Sequence, residues 1–249
     1  MASLLEKVAR PDEIGIADRV TEGWNAVNYL IQHLDNRADG DYPNSGKPPD
    51  EPSDADLKLS GYFLFLAFPG TFPDLPDDDG YLTPEQREAF AAMRTHFDDP
   101  EFTDGSASAF SAALQSWLQF SKRSKQAARL PDYLRYRRLE GMALGELFAL
   151  SVPPSARKEH FPAFMRRLSR IGKIAKLVDS TIDLNKDRAS GNVNSQLPGT
   201  TRATTALLAS YEATKFLAGN LRLFRPLGQK ALAFVKNRSG SRNQERING

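Results

Sequence analysis

Residues 178–191 read Val178-Asp179-Ser180-Thr181-Ile182-Asp183-Leu184-Asn185-Lys186-Asp187-Arg188-Ala189-Ser190-Gly191, and three aspartates recur in them at intervals of four. On an α-helix a four-residue step turns about 40°, so Asp179, Asp183 and Asp187 share one face over about two turns. Ile174, Leu177, Val178, Thr181, Ile182 and Leu184 surround that face with apolar character. Like charges at this spacing destabilise a helix by roughly 0.2–0.5 kcal/mol per pair. A bound hard cation removes that cost, because carboxylate oxygens are the preferred ligands of Mg²⁺. The competing reading is a solvated acidic face. The apolar flanks, and the Lys186 and Arg188 that follow at once, favour the metal.

Working outward, helical periodicity continues in both directions. Phe161 to Arg188 reads as one helix or a pair, ending at Gly191, and Thr200 to Phe224 reads as another before Arg225-Pro226-Leu227-Gly228 interrupts it. Upstream, Pro131 starts a helix through Tyr133, Tyr136 and Leu139 into Gly141 and Gly145. Ser106 to Arg129 carries Phe110, Leu114, Trp117, Leu118 and Phe120 at helical spacing. Thr83-Pro84-Glu85-Gln86 is a helix start, with Thr83 as cap and proline in the first turn. Asp12 to His33 forms a helix with an apolar stripe of Ile14, Ile16, Val20, Trp24, Val27, Leu30 and Ile31. No strand pattern and no internal repeat interrupts this series. The expectation is an all-α bundle in one domain over residues 1–236, with a polar tail at 237–249.

Composition limits the functions. The 249 residues are 40% apolar, enough for a sizeable core, and include no cysteine. Disulfides, thiolate metal sites and cysteine nucleophiles are excluded, and the composition fits a reducing cytoplasm. The N-terminal residues lack a signal-peptide stretch, and no apolar run reaches the ~20 residues of a membrane span. The net charge of +2 hides a split: residues 1–105 hold 8 basic and 22 acidic side chains, and residues 106–249 hold 25 basic and 9 acidic. Such a chain can pair its halves in the fold, bind nucleic acid, or hold a polyanion through a bridging metal.

Two further elements favour the polyanion. Asp35 and Asp39 stand four apart at the end of the first long helix, so two carboxylate clusters on different helices can clamp a diphosphate through shared metal ions. Tyr133-Leu134-Arg135-Tyr136-Arg137-Arg138 adds guanidinium forks suited to phosphate. The rival for these arginines is a charged outer face. His33, His96 and His160 are scattered without metal-ligand spacing, no glycine-rich phosphate loop is present, and no RNA-binding motif accompanies the basic tail.

Together these residues resemble the bacterial class I terpene synthases. In that family an aspartate-rich motif ends one helix, and a second metal motif carries Asn, Ser, Lys and Glu at positions matched here by Asp179, Asp183, Lys186 and Asp187. Gly191 and Asn194 complete the pattern, and Asp35 and Asp179 are 144 residues apart. The family's diphosphate-sensing arginine matches Arg137. The resemblance covers roughly Asp12 to Phe224. It departs from the family in that the first motif has no adjacent acid pair, the second carries Asp in place of Asn, Ser and Glu, and no C-terminal Arg-Tyr pair is recognisable, Arg225 being followed by Pro226.

What the resemblance implies is an isoprenoid-synthase helical bundle with a central active-site cavity. Asp35, Asp39, Asp179, Asp183 and Asp187 would hold up to three Mg²⁺ ions, with Arg137, Lys186 and Arg188 on the diphosphate. The substrate would be an acyclic prenyl diphosphate, farnesyl or geranylgeranyl, whose carbocation is cyclised. The segment from Gly141 to Gly145 lies where the family breaks a helix to aim a carbonyl at that cation. A homodimer is a further expectation, with no nucleic-acid partner and no stable membrane span. The alternatives are a phytoene- or squalene-synthase-like prenyl transferase, which the triple-Asp form resembles, and a non-catalytic helical binding protein of the same fold.

Overall fold

The computed structural model describes residues 2–15, 18–25, 27–28, 31, 102, 104–189 and 193–220. Five α-helices are set out here: α1 (Ala2–Val8), α2 (Asp104–Gln126), α3 (Leu130–Leu150), α4 (Phe161–Ala189) and α5 (Thr201–Ala218). Residues 18–25, 27–28 and 31 are helical too. Among the described residues β pairing is confined to one bridge, Ile14 with Arg157, so the all-helical expectation holds for them. No helix among them is long and apolar enough to cross a membrane.

The helix after Asp12 starts later than its periodicity suggests. Residues 11–13 form a turn, Ile14 makes a β-bridge with Arg157, and residues 18–20 are helical. The cause is long-range. Glu13 is buried and takes both Nη atoms of Arg167 at 2.6 Å, while the Gly15 N–H donates to the Ala156 carbonyl at 2.8 Å. A buried ion pair with both partners hydrogen-bonded outweighs continuation of an apolar stripe, because either charge alone would be stranded.

Helices α2, α3 and α4 pack in sequence order, joined by short connections. Arg129 precedes α3 in extended conformation, Pro131 falls in the first turn where its missing N–H costs nothing, and Arg129 pairs with Asp132 at 3.0 Å. One apolar cluster gathers Trp24, Phe110, Leu114, Leu147, Phe164 and Leu168. Burying side chains of this size stabilises by about 1.5–3 kcal/mol each. Trp24 also donates its Nε1–H to the Phe148 carbonyl at 3.1 Å, fixing the N-terminal helix on the end of α3. A second, smaller cluster of Ala127, Tyr133, Leu184, Val193 and Leu197 closes the other end of the bundle.

The glycines of α3 do not break it. The helix runs from Leu130 through Gly141 and Gly145 to Leu150, where Ser151 caps it by donating its hydroxyl to the Phe148 carbonyl. Gly141 and Gly145 instead lie on one side, one turn apart, and meet the backbone of α4 at Gly172 and Leu168. A Cβ on either would overlap an α4 carbonyl, so the two helices touch backbone to backbone. The close crossing sets α3 and α4 in a fixed register and brings Arg137 and Glu140 against the C-terminal half of α4.

Helix α5 runs antiparallel to α4. Arg202 near its start donates to the Thr181 carbonyl at 3.0 Å, and Glu212 further along pairs with Lys173 at 2.6 Å. It stops at Ala218, with Gly219 as C-cap, earlier than the sequence periodicity proposed. Near that end a cavity of about 230 Å³ lies between α5 and the start of α4, lined in part by Arg166, Arg167, Arg170 and Phe216.

Candidate functional site

Helix α4 is continuous for 29 residues, so the aspartate repeat keeps helical register throughout. Asp179, Asp183 and Asp187 are all partly exposed along one face that spans about 80°. Lys186, one residue before Asp187, projects within about 20° of Asp179 and is exposed. Lys176 projects between the directions of Asp183 and Asp187, at about 60° from Asp179. The acidic face is thus bordered by two lysines of its own helix.

Arg188 lies off the acidic face. It points about 180° away from Asp179 and about 100° from Asp187. Its Nη2 donates to the carbonyls of Leu197 at 2.8 Å and Pro198 at 2.9 Å, so it anchors the loop before α5 and not the acidic face. Asn194, matched to the end of the motif, also serves that loop. Its Nδ2 donates to the Gln126 carbonyl at 3.2 Å and its N–H to the Lys125 carbonyl at 3.0 Å, satisfying acceptors left open at the end of α2.

Arg137 faces α4. It is only 4% exposed; its Nη1 donates to Glu140 at 3.1 Å, its Nη2 lies 3.8 Å from Asp187 Oδ2, and its guanidinium sits 5.4 Å from the Tyr133 ring centre. Burial disfavours the guanidinium charge, but Glu140, Tyr133 and Asp187 outweigh it and raise the pKa of Arg137 above its usual value. Among the described residues the Nε of Arg137 has no hydrogen-bond partner. Arg138, the next residue, turns away and pairs with Glu212 of α5 at 2.9 Å.

Three residues of the site were not singled out from sequence: Glu140, Lys176 and Ser124. Glu140 is completely buried between α2, α3 and α4. Lys176 Nζ lies 2.9 Å from one carboxylate oxygen, and the other accepts from Arg137 and, at 3.4 Å, from Ser124. Burial would push the Glu140 carboxyl up, but Lys176, then Arg137 and Lys125, hold it below the usual carboxylate range. The available signal was local spacing: Glu140 is three residues after Arg137, and Lys176 three before Asp179.

Asp187 behaves oppositely. Burial pushes its carboxyl above the usual range, Arg137 opposes this, and the charges of Asp183 and Asp179 reinforce it. Asp187 therefore feels the other two aspartates along the face. Among the described residues no group of three such side chains is close enough together to hold a metal ion. Mg²⁺ does not require one, since it is usually held by one or two carboxylates together with phosphate oxygens and water. The donor set of α4 fits such an ion. Asp35 and Asp39 lie outside the described residues. No family model, no curated protein and no solved structure matches the chain.

Proposed function

We propose that the chain is a Mg²⁺-dependent enzyme of the class I terpene synthase type, acting on an acyclic prenyl diphosphate such as farnesyl or geranylgeranyl diphosphate. The observation that carries this reading is the meeting of the Asp179, Asp183 and Asp187 face of α4 with the buried Arg137 of α3, 3.8 Å from Asp187. Hard carboxylates and a guanidinium at one seam are what a diphosphate with its counter-ions needs.

In this reading Asp179, Asp183 and Asp187 hold Mg²⁺, with Asp35 and Asp39 as the sequence-matched second cluster. Bound there, the ions would neutralise charge on the departing diphosphate. Arg137 orients the phosphate groups with its fork, and the exposed Lys186 adds positive charge at the outer edge. Arg188 takes no part. An apolar pocket beside the site would keep water from the allylic cation left behind while it cyclises. Incubation with geranyl, farnesyl and geranylgeranyl diphosphates, with and without Mg²⁺, followed by gas chromatography and mass spectrometry, tests the reading. Metal-dependent hydrocarbon or alcohol products are expected. Intact substrates under all conditions would refute it.

The triple-Asp face favours one second reading, a prenyl transferase of the phytoene or squalene type. It would join two prenyl chains instead of cyclising one, and the same chromatogram separates the two outcomes.

Arg137 and Arg138 should behave differently. Arg137→Lys cannot reach Glu140 and Asp187 with one fork, and loss of a charge-assisted bond of this kind costs on the order of 1.5–3 kcal/mol. Pyrophosphate inhibition should weaken by about ten- to hundred-fold. Arg138 is 44% exposed, and its partner Glu212 is also held by Lys173 at 2.6 Å. Arg138→Lys should change inhibition little, since exposed pairs are worth about 0–1 kcal/mol. Equal effects of the two substitutions would show that Arg137 does not meet the diphosphate.

A further inference from the structure

Five charged side chains form a chain that begins and ends on the acidic face. Asp187 lies 3.8 Å from Arg137, Arg137 donates to Glu140 at 3.1 Å, Glu140 lies 2.9 Å from Lys176, and Lys176 lies 3.7 Å from Asp179. The two short contacts converge on Glu140, which has no exposed surface. The two long ones end on aspartates that are 23% and 40% exposed.

This asymmetry separates anchoring contacts from exchangeable ones. Water cannot replace a partner of Glu140, so either cation leaving would strand a buried charge. Contacts beyond hydrogen-bonding distance to partly exposed carboxylates are weak, and a stronger anion can take them over. Both cations are therefore fixed from within, and each also reaches toward an aspartate on the face of α4. Lys176 belongs to that face by helical register, three residues before Asp179.

We propose that Lys176 and Arg137 form a two-cation clamp for the phosphate groups of the bound diphosphate, and that Glu140 is the positioning residue that holds both. The inference rests on the diphosphate reading above. Arg137 supplies planar, directional donors, and Lys176 supplies a compact charge with rotatable donors that accepts whichever oxygen arrives. Phosphate oxygens replace Asp179 and Asp187 as the outer partners of the two cations, leaving those carboxylates to the metal.

The test is calorimetric titration of the full chain with inorganic pyrophosphate in the presence of Mg²⁺, with thermal melting followed by circular dichroism. Lys176→Gln should weaken binding about ten- to hundred-fold, as expected for a lost charge-assisted contact, while Lys176→Arg should restore most of it. Glu140→Gln is the discriminating variant. Removing a negative charge beside an anion site should tighten binding by simple electrostatics, whereas loss of a positioning group should weaken it. Weaker binding in both Gln variants, with the helical signal retained, supports the clamp. Unchanged or tighter binding in either folded variant overturns it. If Glu140→Gln does not fold, the Lys176 pair of variants decides alone. Absence of any pyrophosphate binding in the wild type would instead refute the diphosphate reading itself, and the clamp with it.

Discussion

Gly172→Ala is expected to destabilise the protein by about 2 kcal/mol or more, although alanine is the better helix former. The new Cβ would overlap the Gly141 carbonyl oxygen and lie 3.1 Å from both the Gly141 carbonyl carbon and the Gly145 nitrogen. Those neighbours are backbone and cannot rotate away, so α3 and α4 must separate along their contact. Overpacking of this kind costs typically about 1–3 kcal/mol and occasionally more, against a gain of at most about 1 kcal/mol from helix propensity. For a chain of this size each kcal/mol lowers Tm by roughly 2–4 °C, so a drop of about 4–8 °C should appear in a melting curve. Gly105→Ala is the control: it lies in the first turn of α2 with nothing within 4 Å of a built Cβ. It should leave Tm unchanged or slightly raised. The Gly172 effect should also reach the site. Arg137 stands one turn before Gly141, and Lys176 one turn after Gly172, so widening this crossing pulls Glu140 away from one of its two cations.

These glycines show where sequence reading stops. The long helix carrying the aspartates was legible, because its apolar residues and its charges both repeat at helical spacing. Single helices write their register into their own sequence. Which helices touch, and on which face, is written only in pairs of distant residues. Gly141 and Gly145 look like a helix break when α3 is read alone, and become a contact surface only when Gly172 lies opposite. Glu140 reads as part of a charged outer face until Ser124 and Lys176 are found across from it. Glu13 reads as the first turn of a helix until Arg167, 154 residues later, takes its carboxylate. Arg188 is different, since its place is legible in the sequence alone: one residue beyond Asp187 is a turn of about 100°, which removes it from the acidic face. Arg137 meets α4 because the uninterrupted α3 carries it, one turn before Gly141, to the crossing of the two helices.

Asp183→Ala is expected to abolish Mg²⁺-dependent turnover while leaving the fold intact or slightly more stable. Asp183 is the central carboxylate of the face, one turn from Asp179 and one from Asp187. Its removal relieves two like-charge pairs worth roughly 0.2–0.5 kcal/mol each, and alanine is favoured over aspartate within a helix by up to about 0.7 kcal/mol. Asp187, whose carboxyl is pushed up by burial and by the charge of Asp183, should move back toward the usual range. Stability and function are thus predicted to change in opposite directions, the pattern of a site whose charges are kept for a ligand. A solvated acidic face would show the stability gain alone. The measurement that separates the two is Tm with and without Mg²⁺ and pyrophosphate. A ligand at a hundred times its dissociation constant stabilises by about 2.7 kcal/mol. For the wild type this should raise Tm by roughly 5–11 °C. In Asp183→Ala the shift should be lost, with the ligand-free melt at or above that of the wild type. An undiminished ligand-induced shift in the variant would remove the metal role from Asp183 and return the acidic face to solvent.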